Sequence, residues 1–358
     1  MEPLIRRDIL KRLSALKRRR DLARMDLRGV ADLLRQAVIK SGGEEFVDEY
    51  LKALNLMTLA EMQHPDLTAV TRTIRGNGIP NTDSFWSQIA VRRRRKQLGI
   101  LPEKHLGIAK DDDIRFAKSA DIRCVQTRYR GSFEGIPRDL APVAVKPIRS
   151  SDSLGVFLNY GGELFAVASS RRLADWGELE ATARNEISLT EFEDAVWEVE
   201  DLVTFYGCPA PDVKFYAFYG EIGAIIEVHR YPDIGYAYFD GDGNRIQLRN
   251  TVAHPASESS VSVIESGHVS EEDVQSVRSM SSSIPVPFMR LDFLLSDHGL
   301  VFCEMSSAPG DAHDLTSVQD QRLGRMYHEA EIRLLNDLLD GKRFKNFERF
   351  QILGEAER

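Results

Sequence analysis

The spacing of hydrophobic residues changes once along this chain. Ahead of about residue 100 apolar positions recur at helical intervals, and beyond it short runs alternate apolar and polar residues. Over residues 4–40, Ile5, Ile9, Leu13 and Leu16 mark one helical face. Leu22, Met25, Val30, Leu33, Leu34 and Val38 continue the pattern until Ser41-Gly-Gly43 stops it. Residues 44–70 predict one or two more helices, Gly76–Pro80 a turn, and Ser84–Leu98 another helix. From Leu106 onward the pattern predicts a short helix over Asp112–Ser119 and strands at Ile122–Val125, Ala141–Pro147 and Glu163–Val167. Leu173–Ile187 is polar and shows no clear period. Phe215, Ala217 and Tyr219 alternate with Tyr216 and Phe218 in a strand that begins at Lys214, and Ile222–His229 returns. Asn250–Gly267, rich in Ser, Ala and Glu, reads as a mobile loop. Ser270 then caps a helix whose first turn is acidic, and residues 318–340 predict a final helix.

The most informative stretch is Phe288–Gly310, which reads as a hairpin around His298. Period two places Arg290 and Asp292 on one face of its first strand, and Glu304 and Ser306 on one face of its second. Asp292 and Glu304 are then expected to sit opposite each other. Facing carboxylates repel, and a divalent cation between them removes that cost. The same pattern also fits an ordinary solvated hairpin. The small residues of Ser306–Gly310 suit a backbone passing close to a phosphate.

Composition narrows the field. The 358 residues are 42% hydrophobic, enough for a large core and two or three domains. The net charge of −8 is uneven: residues 1–100 hold 20 Lys/Arg against 12 Asp/Glu, and the remainder 27 against 43. A basic helical start can contact membranes or nucleic acid, but interleaved aromatics are missing and the body is acidic. Packing on its own protein with solvated charges is therefore the expectation, and nucleic acid is not an expected partner. Cys124, Cys208 and Cys303 have no CxxC spacing, which excludes a zinc ribbon and argues against a disulfide framework. No segment reaches the apolar length of a membrane span and the start lacks a secretory h-region, so the cytoplasm is the expected location. Walker A, GxGxxG, GxSxG and HExxH patterns are absent.

A second candidate feature is Val145-Lys146, a strand end followed by the small polar loop Ile148–Gly155 with Ser150, Ser151 and Ser153. A Lys beside such a loop describes a phosphate grip, the ammonium neutralising charge and the amides donating hydrogen bonds. Such a loop is expected to order only over bound nucleotide. His229, taken alone, reads as a hydrogen-bonded structural residue.

Arg290-x-Asp292, a hairpin and Glu304-x-Ser306-x-x-Pro309-Gly310 together resemble the metal-binding end of the ATP-grasp ligases. The likeness is closest to the TupA-like branch, named for a teichuronopeptide biosynthesis protein, which also has an Asp-Tyr-Lys-Phe similar to Asp212-Val-Lys214-Phe and an Asp-Trp, here Asp175-Trp176. The resemblance spans about residues 105–315 and implies an α+β fold. Two ATP-grasp subdomains, 105–200 and 201–320, would grip ATP, preceded by a helical module at 1–104 and followed by a helix and tail at 321–358. It implies that Lys146 touches the α-phosphate, that the serine loop covers the β- and γ-phosphates, and that Lys110 joins the nucleotide site. Glu200, Asp201, Leu202 and Val203 would form the hinge that reads adenine and ribose, although Glu191–Val203 also fits a helix end. Lys214 and Arg290 would face the γ-phosphate, and Arg230 would grip the acyl-phosphate or the substrate carboxylate. Asp292, Glu304 and Ser306 would hold Mg²⁺, Ser306 standing where the superfamily usually has Asn. The implied activity is an ATP-dependent ligase that joins a small-molecule carboxylate to an amine. A kinase of the same fold and an inactive nucleotide-binding scaffold stay open, as does a homodimer.

Overall fold

In the computed structural model the described residues are 2–40, 46–55, 57, 62, 65–66, 84–99, 110–148, 153–187, 189–248, 262–263, 268–310 and 315–348; side chains of the first helix are described from residue 11. The predicted turn at Gly76–Pro80, residues Ser150 and Ser151, and nearly all of the predicted loop Asn250–Gly267 lie outside them. The chain divides into two compact units, Met1–Leu101 with Gly310–Glu329, and Pro102–Pro309 with Ala330–Arg358.

The first unit is helical: α1 (Glu2–Lys40), α2 (Val47–Asn55), α3 (Phe85–Gln97) and the first part of α8 (Ser317–Leu339). The sequence pattern correctly gives one long first helix, but only some of its apolar positions are buried. Leu13, Leu16, Leu22 and Met25 are each more than half exposed, whereas Ala31 and Val38 are fully buried. The basic residues of the C-terminal half are not simply solvated. Asp66 is fully buried and receives Arg28, Arg35 (3.3 Å) and the Tyr50 hydroxyl (2.6 Å). α3 is capped by Ser84, whose side chain accepts the Ser87 N–H, and Asp320 of α8 accepts the Trp86 N–H at 3.1 Å. Burial pushes the Asp320 carboxyl up to about 6.

The second unit contains two six-stranded sheets. Its chain order begins with α4 (Lys110–Ser119), β1 (Thr127–Gly131), β2 (Val143–Pro147), β3 (Phe157–Tyr160), β4 (Glu163–Ala166) and β5 (Arg171–Leu173). It continues with α5 (Trp176–Glu186), α6 (Leu189–Asp194), β6 (Trp197–Asp201) and a small hairpin, β7 (Thr204–Phe205) and β8 (Cys208–Pro209). Then come β9 (Asp212–Phe218), β10 (Glu221–His229), β11 (Gly235–Phe239), β12 (Ser262–Val263), α7 (Glu271–Ser282), β13 (Met289–Ser296) and β14 (Gly299–Ser306). The first sheet runs β1-β6-β2-β3-β4-β5 and the second β12-β11-β10-β9-β13-β14. All pairings are antiparallel except β11 with β12.

Period-two alternation divides the first sheet into an apolar and a polar face. Val143 and Val145 of β2 and Trp197 and Val199 of β6 turn toward Phe133, Phe157, Leu179 and Phe192, forming a core against α5. Trp197 packs edge-on to Phe133 and Phe192, with ring centroids 4.9 and 5.5 Å away. Lys146, Glu198 and Glu200 therefore share the opposite face. The polar stretch Leu173–Ile187 resolves into β5 and α5 because Asp175 caps the helix, accepting the Glu178 N–H at 2.9 Å. Ile122–Val125 is not a regular strand: it is fixed to the edge of β14 through Phe302, whose N–H reaches the Arg123 carbonyl at 2.7 Å. The predicted hinge segment is the end of a strand, β6, and the helix that its spacing also allowed, α6, ends ahead of it at Asp194. α7 carries the full capping box of Ser270 and Asp273.

Candidate active site

On the polar face of the first sheet two glutamates are buried side by side along β6, Glu198 1% and Glu200 3% exposed. Such acids survive burial only when paired. Lys110, the first residue of α4, bonds both, at 2.9 Å to Glu198. Lys146 bonds Glu200. Arg130 of β1 bonds Glu198 at 2.9 Å and Asp111 at 2.6 Å, and the Thr127 hydroxyl donates to Glu198 at 3.1 Å. Burial acting alone would raise the Glu198 carboxyl, but the Lys110 ammonium beside it holds it well below the ordinary range. Burial likewise opposes the charge of Lys110, and the pull of Glu200 and Glu198 outweighs it. The cluster is thus three cations on three acids.

The second sheet carries a matching polar face. Asp292 on β13 is the register partner of both Lys214 on β9 and Glu304 on β14. The facing carboxylates expected from the hairpin alternation are therefore present. A bulge beyond Asp292 leaves Cys303 without a register partner. Arg290 donates to Asp292 through Nε at 2.7 Å and Nη2 at 2.8 Å, and Nη2 also reaches Glu304 at 3.4 Å. Lys214 Nζ lies 2.8 Å from the second Asp292 oxygen. Burial would raise the Asp292 carboxyl, but Arg290 and Lys214 hold it below its ordinary value. Glu304 is half exposed, its side chain at 48%. Ser306 Oγ accepts the Ala308 N–H at 3.1 Å, and the Tyr216 hydroxyl donates to the Pro309 carbonyl at 2.5 Å, so the chain after β14 is held on two sides. Arg230 is paired with Asp212 at 2.5 Å. Asp113 of α4 accepts the Met305 N–H at 3.1 Å, tying the helix that carries Lys110 to the strand that carries Glu304. Cys303 lies in the field of Lys146, Glu200, Asp212 and Lys110, so it is close to both polar clusters; desolvation pushes its thiol far up.

Most of the residues expected at the site fall into two groups. Lys110, Lys146 and Glu200 come together, as do Lys214, Arg290, Asp292, Glu304 and Ser306. Glu200 holds both lysines, Lys110 of α4 and Lys146 of β2. The amides of the predicted hinge are partly committed within the protein: Asp201 N–H donates to Gln126, Leu202 N–H to Pro142, and the Val203 carbonyl accepts from Ala210. The Asp201 side chain pairs with Arg128 at 2.6 Å. Ser153, with φ 63°, stands at the end of the serine loop, where the Gly155 N–H donates to Glu186 at 2.8 Å. Glu198, Arg130 and Asp113 were missed by sequence reasoning, and Asp212 was noted only as part of the Asp212-Val-Lys214-Phe motif, without a partner. Glu198 and Asp212 were within reach, since each lies two residues from a named site residue on the same strand face; Asp113 and Arg130 carried no sequence signal.

The comparisons with known proteins bear on this arrangement. The family model described as TupA-like ATPgrasp matches residues 133–328, more than half of the chain. No curated protein matches. Among solved structures the chain resembles D-alanine–D-alanine ligase from Bacillus anthracis complexed with ATP, at 16% identity and TM-score 0.38, covering 69% of this chain and 74% of that one. It also resembles the ATP-grasp ligase PsnB complexed with a phosphomimetic variant of its minimal precursor, Mg and ADP (12%, TM-score 0.36, 68% and 66%). A third is a RimK domain ATP-grasp protein from Sphaerobacter thermophilus (12%, TM-score 0.37, 67% and 77%). With the family model matching more than half of its length, the chain belongs to the TupA-like ATP-grasp family.

Proposed function

We propose that this protein is an ATP- and Mg²⁺-dependent ligase that activates a carboxylate as an acyl-phosphate for attack by an amine. The observation that carries the reading is the pairing of Asp292 with Glu304 across β13 and β14, with Arg290 and Lys214 around them. A carboxylate pair in register, one member half exposed, with a hydroxyl two residues on, is an all-oxygen donor set of the kind Mg²⁺ takes. Asp292, Glu304 and Ser306 would hold the ion, which when bound neutralises charge on the β- and γ-phosphates.

The remaining chemistry falls to charged side chains. Lys146 and Lys110 are neutralised by Glu200 and Glu198. An α-phosphate would compete with these acids for the ammonium groups. Lys214 and Arg290 would turn from Asp292 to the γ-phosphate, where positive charge stabilises the transferring phosphoryl group. The substrate carboxylate oxygen attacks the γ-phosphorus as the bond to ADP breaks. The amine then attacks the carbonyl carbon and inorganic phosphate leaves. Arg230, paired with Asp212 just beyond β10, would orient an acidic substrate. A peptide, amino-acid or sugar-acid conjugate is the expected product.

A second reading, a nucleotide-binding scaffold with a partner-binding helix, draws on the exposed Leu13, Leu16, Leu22 and Met25 of α1. One experiment separates the readings: a screen of amino acids and sugar acids for ADP release with Mg-ATP, with product mass determined. A condensed product supports the ligase, a stable phosphorylated product the kinase, and nucleotide binding without turnover the scaffold. ADP release undiminished in folded Asp292→Asn would overturn the metal assignment.

A further inference from the structure

We propose that Glu227, His229 and His268 form a binding site for a divalent transition metal ion such as Zn²⁺, on the face of the second sheet opposite Asp292. Glu227 and His229 lie two residues apart on β10 and so share a face. Register fixes which face it is. Glu227 pairs with Val213 and Phe293 pairs with Val213, whereas Lys214 pairs with Asp292, so the cluster lies on the other side from the carboxylate pair.

The three side chains already converge. One ligand atom from each lies within 4.8 Å of the other two. His229 Nε2 is 2.8 Å and His268 Nδ1 2.6 Å from the same oxygen, Glu227 Oε1. The other oxygen, Oε2, accepts the main-chain N–H of His268 at 3.0 Å. That bond orients the carboxylate and leaves Oε1 as the ligating atom, the role outer-shell partners play at metal centres. The backbone around His268 is itself fixed, two residues ahead of the Ser270 cap of α7. Phe205 packs edge-on to the His268 ring, centroids 5.4 Å apart. Across the ladder on β11, Glu227 faces Ala237 and His229 faces Gly235, so nothing larger than a methyl crowds the site from that side.

The chemistry of the set selects the ion. Two imidazoles and one carboxylate suit Zn²⁺ and its neighbours in the first transition row, while Mg²⁺ prefers oxygen ligands and keeps its waters. Metal–ligand bonds of roughly 2.0–2.2 Å place donor atoms roughly 3.0–3.5 Å apart, so each histidine nitrogen needs to draw back from Oε1 by less than about 1 Å. The rings can do so: Glu227 is fully buried, but the His229 and His268 side chains are 29% and 31% exposed. On binding, each neutral ring carries its proton on the nitrogen away from Oε1. Three protein ligands leave a fourth position for water or a substrate oxygen. The site does not depend on the proposed ligase activity.

The test uses the full chain, stripped with a chelator and dialysed against Zn²⁺ in millimolar Mg²⁺, so that Asp292 and Glu304 are occupied by the harder ion. Bound zinc is measured by inductively coupled plasma mass spectrometry. One Zn²⁺ per chain is expected, with affinity lowered at least tenfold in His229→Ala and in His268→Ala. The melting temperature should rise with Zn²⁺ in the wild type and not in His268→Ala. Co²⁺ substitution in the wild type, with visible absorption of a four-coordinate ion, gives a readout that needs no variant. Wild-type chain that retains no stoichiometric zinc, or zinc retention unchanged in both folded histidine variants, overturns the proposal.

Discussion

Replacing Asp292 with Asn removes one negative charge from a site where three charged groups meet in near-complete burial. Asp292 is 4% exposed, and the Arg290 and Lys214 side chains are 12% and 21% exposed. The carboxylate accepts three hydrogen bonds, two from Arg290 and one from Lys214. An Asn keeps one acceptor oxygen but turns an N–H₂ toward a cation, leaving at least one positive charge buried with its main partner gone. Breaking a buried pair in this way costs about 3–5 kcal/mol. The lower end applies here, because Glu304 remains within 3.4 Å of Arg290 and takes part of the load. The cycle Asp292→Asn, Lys214→Met and the double variant isolates the pair. Urea unfolding of the four proteins should give a coupling energy of about 1–3 kcal/mol, with the double variant more stable than the sum of the singles predicts. Coupling below about 0.5 kcal/mol, with all four proteins cooperatively folded, would refute the claim that these charges stabilise one another. The same variants should show a smaller thermal shift with Mg-ATP. The wild type at a hundredfold excess over Kd is expected to gain about 2.7 kcal/mol.

Three further outcomes can be checked. Glu200→Gln should leave Lys110 and Lys146 less tightly held, destabilising the protein by about 2–4 kcal/mol without nucleotide and by less with saturating ATP; an equal loss in both conditions would contradict competition between phosphate and Glu200. The folded-state carboxyl of Asp320 titrates near 6 against an ordinary value of 3.8. The folded chain therefore binds the extra proton between these values, and stability contributed there is fully present below about 4 and lost as pH rises to about 6. The stability of the wild type minus that of Asp320→Asn should fall by at most about 3 kcal/mol over that interval and then stay flat, and a pH-independent difference would refute it. Arg28→Ala, which takes a cation from buried Asp66 while Arg35 and Tyr50 still bond it, should cost about 2–4 kcal/mol by chemical denaturation, and a loss under about 0.5 kcal/mol would show that Asp66 does not need Arg28.

Local periodicity determined much of this protein. The alternation Arg290-x-Asp292 and Glu304-x-Ser306 fixes which side chains share a face of the hairpin, whereas the two-residue turn at Asp297-His298 by itself would pair Asp292 with Cys303, and the bulge that passes over Cys303 sets Glu304 opposite Asp292 instead. The long first helix, the capped helix after Ser270 and the final helix likewise follow from spacing and caps. Other features depend on elements distant in the chain. Glu198 and Glu200 could be placed on one strand face from sequence, but nothing there showed that Lys110, 88 residues earlier, would neutralise them. Burial of an acid depends on which cation the fold delivers, and that is a tertiary matter. The apolar positions of α1 are only partly buried for a related reason: apolar periodicity offers a face, but a partner helix must cover it, and at Leu13 and Leu16 none does among the described residues. The cluster of Glu227, His229 and His268 shows the same limit. Two of its members share a strand, and the third arrives from 39 residues beyond His229 through the packing of α7 onto the sheet. Sequence spacing sets what a strand or helix can present, while the contacts that give those groups a charge state and a partner are decided only when distant segments meet.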